Sequence, residues 1–266
     1  NLLPLTYTRP VAEIRVGILT IREKWEAFLE STTTFVTEDY LSDKYPMVEF
    51  EKNIFINASF LPNNKLVNLI INLKPNELIN SGDDLIAFYS KENQDEVDLE
   101  SFKKITYNDK VLQINSLTDI FKINSLAIEE DFILLTQNKN SSKISKTNNL
   151  ISPENIFIDE GVNMEYSTLN ASNGPIYISK NCEIMEGSLI RGPFALCEYS
   201  TLKLGSKIYG GTTIGPHCNI GGEVKNSIVQ GYSNKGHDGF LGNSLIGEWC
   251  NLGADTNTSN LKNNYA

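Results

Sequence analysis

From Ile178 onward an aliphatic residue returns at every sixth position: Ile178, Ile184, Ile190, Leu196, Leu202, Ile208, Ile214 and Ile220. A second register stands four residues after each anchor, at Cys182, Ser188, Phe194, Ser200, Ser206, Thr212, Cys218 and Val224; all but Phe194 are small or medium-sized. A period of six suits neither a helix, with its period of 3.6, nor an uninterrupted strand, with its period of 2. It fits a short strand followed by a tight corner. Three such sides close a triangular coil of 18 residues, and coils stack at the strand spacing of about 4.8 Å. The aliphatic residue points into the prism and the small one fits beside the corner. Gly187, Gly205, Gly215 and Gly221 suit corners that need positive φ. The frame starts earlier, at Ile158 and Met164, and skips over residues 169–175. It resumes at Ile228, Phe240, Ile246 and Leu252, with Asn234 as its weak link. The pattern predicts an all-β parallel helix from about residue 156 to the end. A solenoid end exposes a strand edge that needs covering, so either a continuation of the chain or another subunit is expected there.

The first half reads differently. Apolar residues recur at helical spacing over residues 18–29, 66–73 and 119–135, and short β-rich runs fall at 34–37, 53–57, 85–89 and 105–107. This predicts a mixed α/β domain. The charged run 91–100 reads as a solvated loop. Residues 137–149 are nearly all polar and lack the apolar surface to offset the entropy of ordering, so the interdomain linker is placed there. The expected organisation is an α/β domain over 1–137, a linker over 138–149 and a β-helix over 150–266.

Charge and chemistry narrow the function. A formal net charge of −10 argues against nucleic-acid binding, which needs a basic face to displace counterions. It argues equally against attraction to anionic lipid. No apolar stretch approaches the ~20 residues that span a bilayer. No signal peptide is legible, and the four cysteines form no C-x-x-C pair, so a cytoplasmic protein with reduced thiols is expected. Cys182, Cys218 and Cys250 occupy the small inward position, where packing explains them; Cys197 follows an anchor and should face outward. With two histidines in the chain, a three-histidine zinc site would need a third from beyond residues 1–266, and no metal ligand set is assigned. His217 lies three residues after Ile214, on an outer face or near a corner. His237 sits where the repeat breaks into a loop, Gly231 to Gly239; loops on rigid scaffolds often carry function, and an exposed histidine in a flexible loop is the alternative of equal weight.

In the segment 208–260 the residues Glu223-Val224-Lys225-Asn226, Lys235-Gly236-His237, Phe240-Leu241-Gly242-Asn243, Ile246-Gly247, Asn251-Leu252-Gly253-Ala254-Asp255-Thr256 and Asn260 follow one another in order. This series resembles the acetyltransferase half of the bifunctional N-acetylglucosamine-1-phosphate uridylyltransferase/glucosamine-1-phosphate acetyltransferase family. A weaker echo covers residues 4–18, which resemble the region after the Gly-rich loop of sugar nucleotidyltransferases, and Asn57-Ala58-Ser59, where those enzymes have Asn-Gly-Asp. The chain thus resembles a divergent sugar nucleotidyltransferase branch with a C-terminal left-handed β-helix of hexapeptide repeats.

The resemblance implies acetyl-CoA as co-substrate, a sugar phosphate or sugar nucleotide as partner, and a homotrimer with sites between subunits. It implies His237 as general base, since imidazole suits proton acceptance at neutral pH. Lys225 matches a lysine that contacts the acceptor's phosphate, and Asn251 an acceptor-binding asparagine. Ala254 and Asn260 match positions touching acetyl-CoA. Two departures concern the acceptor. Tyr209 replaces a phosphate-gripping arginine and cannot supply its charged fork, and Phe240 replaces an acceptor-binding tyrosine. For nucleotidyl transfer, Val11 stands for a lysine and Ser59 for a metal-binding aspartate, and the Gly-rich cradle would precede Asn1. Mg2+ is therefore expected only with an intact, active N-terminal domain. Arg9 and Arg15 are candidate phosphate contacts, with surface ion pairing as the plainer role. The expected function is N-acetyl transfer to an amino-sugar 1-phosphate. The rivals are sugar-1-phosphate nucleotidyl transfer, with the β-helix serving assembly, and a non-catalytic scaffold that binds sugar nucleotides.

Overall fold

A computed structural model describes residues 2–48, 50–90, 97–258 and 260. The residues group into two compact units, 1–14 with 20–115, and 15–19 with 116–266. Most of the charged run 91–100 lies outside the described residues.

The first unit is α/β. Helix α1 (Ile21–Leu29) starts at Thr20 in a capping box: Thr20 N donates to the Glu23 carboxylate at 2.7 Å and Glu23 N to Thr20 Oγ1 at 3.2 Å. Two donors that the helix start would leave orphaned are thereby satisfied. Trp25 is buried and donates its Nε1 to Phe60 O at 3.0 Å. Helix α2 (Asn64–Ile71) is capped by Asn63 Oδ1, which accepts from Leu66 N. A four-stranded mixed sheet has the order β1 (Asn53–Ile56), β3 (Asp84–Ser90), β2 (Glu77–Ser81), β4 (Lys103–Thr106). Its first two pairings are antiparallel and the last is parallel. The predicted helices and three of the predicted strands are present. Residues 34–37 form no strand, and β2 is an addition; the sequence signal for it is the turn Ser81-Gly82-Asp83-Asp84, which folds β2 onto β3.

The second unit is a parallel β-helix of about six coils over residues 149–248. Its three faces hold five, six and six stacked strands. All eight anchors from Ile178 to Ile220 are buried, as are all eight residues of the second register. The inward side chains stack in columns, one per face: Ile158, Ile178, Leu196, Ile214 and Val229 on the first, Met164, Ile184, Leu202 and Ile220 on the second, and Leu169, Ile190, Ile208, Val224 and Leu241 on the third. The small register has a second reason beyond size. Ser200 Oγ donates to Gly215 O at 2.8 Å and accepts from Cys218 N at 2.9 Å, and Ser233 Oγ repeats the pattern with Gly247 O and Cys250 N. Buried hydroxyls thus satisfy corner peptides that the strand ladder does not reach.

The frame departs from the expectation after Ile220. Val229 and Leu241, not Ile228 and Phe240, continue the inward columns. The coil contracts: Ile178, Leu196 and Ile214 are 18 residues apart, but Ile214 pairs with Val229 and Ile220 with Lys235, 15 residues on. Because side chains alternate at period 2, a slip of one residue exchanges inside for outside.

Helix α3 (Leu117–Thr136) also belongs to this unit, and so does the polar stretch 138–149 that reads as a linker in the sequence. There Ser142 N donates to Ile158 O and Asn148 Nδ2 to Met164 O. The buried residues Ile120, Asn124, Ala127, Ile128 and Asp131 form one stripe of α3. Two of them are polar because they grip residues 15–19. Asn124 Oδ1 accepts from Gly17 N at 2.7 Å, and Asp131 Oδ2 accepts from Ile18 N at 2.7 Å and Leu19 N at 3.0 Å. Thr213 Oγ1 donates to Gly17 O, and the Gln230 amide bonds both N and O of Arg15. Gly17 has φ +76°, and a Cβ there would lie 2.5 Å from Asp131 Oδ2. Cys197, expected outward, does leave the prism but is buried, with its Sγ donating to Ile18 O.

At one corner, successive coils place Tyr199, His217, Tyr232 and Trp249, all with left-handed φ between 49° and 58°. Their rings stack continuously, with centroids 5.0, 5.0 and 4.9 Å apart and planes within 12° of parallel. His217 is thereby a structural ring between two tyrosines. Left-handed backbone disfavours a residue with a Cβ by about 1–2 kcal/mol, whereas each stacked pair contributes about 0.5–1.5 kcal/mol. Tyr232→Ala is expected to lower unfolding stability by about 1–3 kcal/mol in urea titrations. Tyr232→Gly should recover about 1 kcal/mol of that loss. An alanine variant as stable as the wild type would mean that the stack contributes nothing.

Candidate functional site

Two of the three residues by which the coil contracts are lost at one corner, and the third between Val224 and Val229. On regular coils six residues separate one inward anchor from the next, as from Leu202 to Ile208; from Ile220 to Val224 the step is four. The corner between is reduced to Gly221 and Gly222. The next coil carries residues 236–239 over this corner. A Cβ on Gly221 would lie 2.7 Å from Gly236 O, and one on Gly222, whose φ is +77°, would lie 2.7 Å from Gly239 O. Glu223 N donates to Gly239 O at 3.3 Å from below, and Asp255 N to Asp238 O at 3.1 Å from above. The shortened corner is a seat into which the loop fits because neither glycine has a side chain.

His237 stands in this loop with its side chain exposed. The loop joins Asn234–Lys235 on one face of the prism to Phe240–Gly242 on the next. Lys225, also exposed, is in register with Gly242. Tyr209 lies one coil further along the same ladder, its N donating to Val224 O at 2.9 Å. Phe240 is half-buried and pairs with Glu223. Across the loop, Asn251 pairs with Asn234 and accepts from Asn234 Nδ2 at 2.8 Å. Asn251 thus lies before this corner, on the second face, and Phe240, Lys225 and Tyr209 beyond it, along the third, on successive coils about 4.8 Å apart. No hydrogen bond among the described residues links the His237 imidazole to any of them. Ala254 and Asn260 are both exposed, beyond the last complete coil.

Sequence reasoning missed one residue of this region. Lys235 takes the inward position in the column of Met164, Ile184, Leu202 and Ile220, and is only 2% exposed. Its Nζ donates to Gly221 O and to His237 O, both at 2.9 Å. Burial pushes its pKa below the ordinary lysine value, and the charge of Asp238 partly opposes this. After the contracted coil the inward position moves from Asn234 to Lys235, a shift that the hydrophobic pattern does not mark because the new inward residue is a lysine.

Cys182 and Cys218 offer no nucleophile here. Burial pushes the thiols of Cys182 and Cys218 up to about 12, so neither supplies a thiolate at neutral pH. Arg15, a candidate phosphate contact, turns its guanidinium back onto Ile18 O, and Arg9 is buried. At the position matched to a metal-binding motif, Asn57 Nδ2 donates to Leu85 O and its Oδ1 accepts from Ser59 N. This is a closed Asx turn with neutral side chains. Among the described residues no cluster of three metal-ligating side chains occurs. A recess of about 290 Å³ lined by Ser142, Asp159, Asn163 and Glu165 lies at the first coils of the β-helix, well away from His237, and no imidazole or thiol lines it. No described helix is long and apolar enough to cross a membrane.

Residues 1–140 match the family described as sugar nucleotidyl transferase. Among curated proteins the chain is 29% identical over 180 residues to the bifunctional protein GlmU of Synechococcus elongatus, covering 59% of this chain and 40% of that protein. It is 30% identical over 133 residues to the bifunctional protein GlmU of Rippkaea orientalis, covering 42% of this chain and 29% of that protein. The chain thus spans well under half the length of the curated relatives it matches.

The glycine seat gives a stability test. Gly222→Ala combines left-handed strain with a backbone clash and is expected to cost at least ~2 kcal/mol. Gly205→Ala has φ +66° but nothing within 4 Å of the new Cβ, and is expected to cost about 1 kcal/mol. Equal urea midpoints for the two variants would contradict a loop seated on this corner.

Proposed function

The chain belongs to the sugar nucleotidyl transferase family, and on that premise we propose that its β-helix transfers an acetyl group from acetyl-CoA to the amine of an amino-sugar 1-phosphate, with His237 as general base. The observation that carries this reading is an exposed imidazole on a seated loop that joins the face bearing Asn251 to the face bearing Lys225. Loops held by a rigid scaffold are suited to position reacting groups.

The chemistry follows from the groups present. The imidazole nitrogen takes a proton from the acceptor amine as the nitrogen lone pair attacks the thioester carbonyl. The C–S bond then breaks, the amide forms, and coenzyme A leaves as its thiol with that proton. Lys225 supplies a point charge to the sugar phosphate, and the Asn251 amide offers hydrogen bonds to the sugar. Ala254 and Asn260 border the acetyl-CoA side. A homotrimer would let neighbouring subunits complete the site around this corner.

Tyr209 and Phe240 bear on the acceptor. A phenol and a phenyl ring stand where the resemblance has an arginine and a tyrosine, and each charged hydrogen bond lost would remove about 1.5–3 kcal/mol of binding. An acceptor other than glucosamine 1-phosphate fits this pair of replacements, with the sugar's identity set by what Tyr209 and Phe240 can pack against.

A second reading is sugar-1-phosphate nucleotidyl transfer by the α/β unit. The family match over residues 1–140 favours it. Its metal would be Mg2+, and the residues present do not fit that ion: Ser59 is neutral, and the Asn57 amide is spent on Leu85 O and Ser59 N.

Thiol release from acetyl-CoA with a panel of amino-sugar 1-phosphates and nucleotides is expected for the wild type. His237→Ala should lower the rate by about 10²–10⁴-fold. Equal rates in the two proteins, or no release with any acceptor, would overturn acetyl transfer.

A further inference from the structure

An ammonium in an aliphatic column calls for a reason. The inward positions below Lys235 on its face are Ile220, Leu202, Ile184 and Met164, and any of these side chains would fill the prism without desolvating a charge. What lysine adds is donors at the end of a long stem. Its Nζ reaches two backbone oxygens in different coils: Gly221 O in the glycine seat, and His237 O in the loop above it, both at 2.9 Å. Besides the backbone bond from Glu223 N to Gly239 O, the loop itself sends no side chain to its inner side. Gly236 and Gly239 carry no side chains, and His237 and Asp238 are exposed. The neighbouring carboxylate of Asp238 offsets part of the cost of burying the ammonium.

We propose that Lys235 is the positioning residue for His237, with its ammonium tying the loop's carbonyl to the seat below so that the imidazole is presented in one orientation. The catalytic part of this inference rests on the reading of His237 as general base; the tether itself does not. Lys235 touches no substrate in this scheme. It acts through the backbone of the residue that does. A displacement of the order of 1 Å at a reacting group can cost about a hundredfold in rate, so a tether at the base's own carbonyl would be felt in kcat more than in acetyl-CoA binding.

The chain has only two histidines, so labelling with 15N-histidine gives two amide signals, and His217 in the ring stack serves as internal control. In the wild type both amides should have order parameters near ~0.85, and in Lys235→Met the value for His237 should fall below about 0.6 while His217 is unchanged. Methionine fills the column as Met164 does, so the melting temperature should stay at or above that of the wild type. Lys235→Ile serves as a second apolar replacement should methionine fail to fold. In the acetyl transfer assay, Lys235→Met should lower kcat by roughly 10–100-fold with KM for acetyl-CoA within about twofold, and Lys235→Arg should restore part of the loss. A rigid His237 amide in the apolar variants would overturn the tether. Loosening of both histidines would overturn it too, as a general effect on the coil. If the wild type transfers no acetyl group, the functional reading falls, while the order parameters still decide whether the tether exists.

Discussion

The structure depends on one packing constraint: each face of each coil must send one side chain inward, at the spacing set by the strand hydrogen bonds. Between Ile178 and Ile220 this constraint yields a strict repeat of six with an 18-residue coil. Burial of an aliphatic side chain is worth about 1.5–3 kcal/mol, and every coil contributes three. The ladder then supplies the backbone partners, and the serine register closes the corners. Where the repeat changes length, the columns are kept and the corners absorb the difference. The loss of residues after Ile220 therefore appears chiefly as a short glycine corner rather than as a break in the core.

The same economy explains the polar residues on helix α3. A segment of irregular backbone, residues 15–19, is buried in the second unit, and its amides need partners. Asn124, Asp131, Thr213 and Gln230 provide them. Sequence periodicity marks α3 as a helix but cannot tell which face it buries, because polar side chains at 124 and 131 count as exposed in any hydrophobic pattern. For the same reason residues 138–149 read as a linker: their hydrogen bonds to Ile158 O and Met164 O are non-local and leave no trace in composition.

The regular coils were legible from spacing alone, since all sixteen predicted inward residues from Ile178 to Val224 are buried. The irregular ones were not. The frame expected at Ile228 and Phe240 restarts eight residues after Ile220 and runs in sixes from there, one residue out of step with the inward Val229 and Leu241. His237 was legible as the histidine of a broken repeat. Lys235 was not, because a lysine at an inward position contradicts the hydrophobic rule unless its partners, Gly221 O and His237 O, are known. Local departures from sequence rules gather where a fold is bent to a purpose.

The proposed site thus owes its existence to two residues missing from one corner. Their reinsertion between Gly221 and Gly222 restores a step of six, like that from Leu202 to Ile208, and lifts residues 236–239 off their seat without touching any side chain named in the chemistry. The most direct measurement is thiol release from acetyl-CoA by this insertion variant beside the wild type, with thermal melting as a check on the fold. The expected result is a cooperative melt and loss of transfer in the variant alone. Undiminished transfer by a folded insertion variant would contradict a site built by the shortened coil.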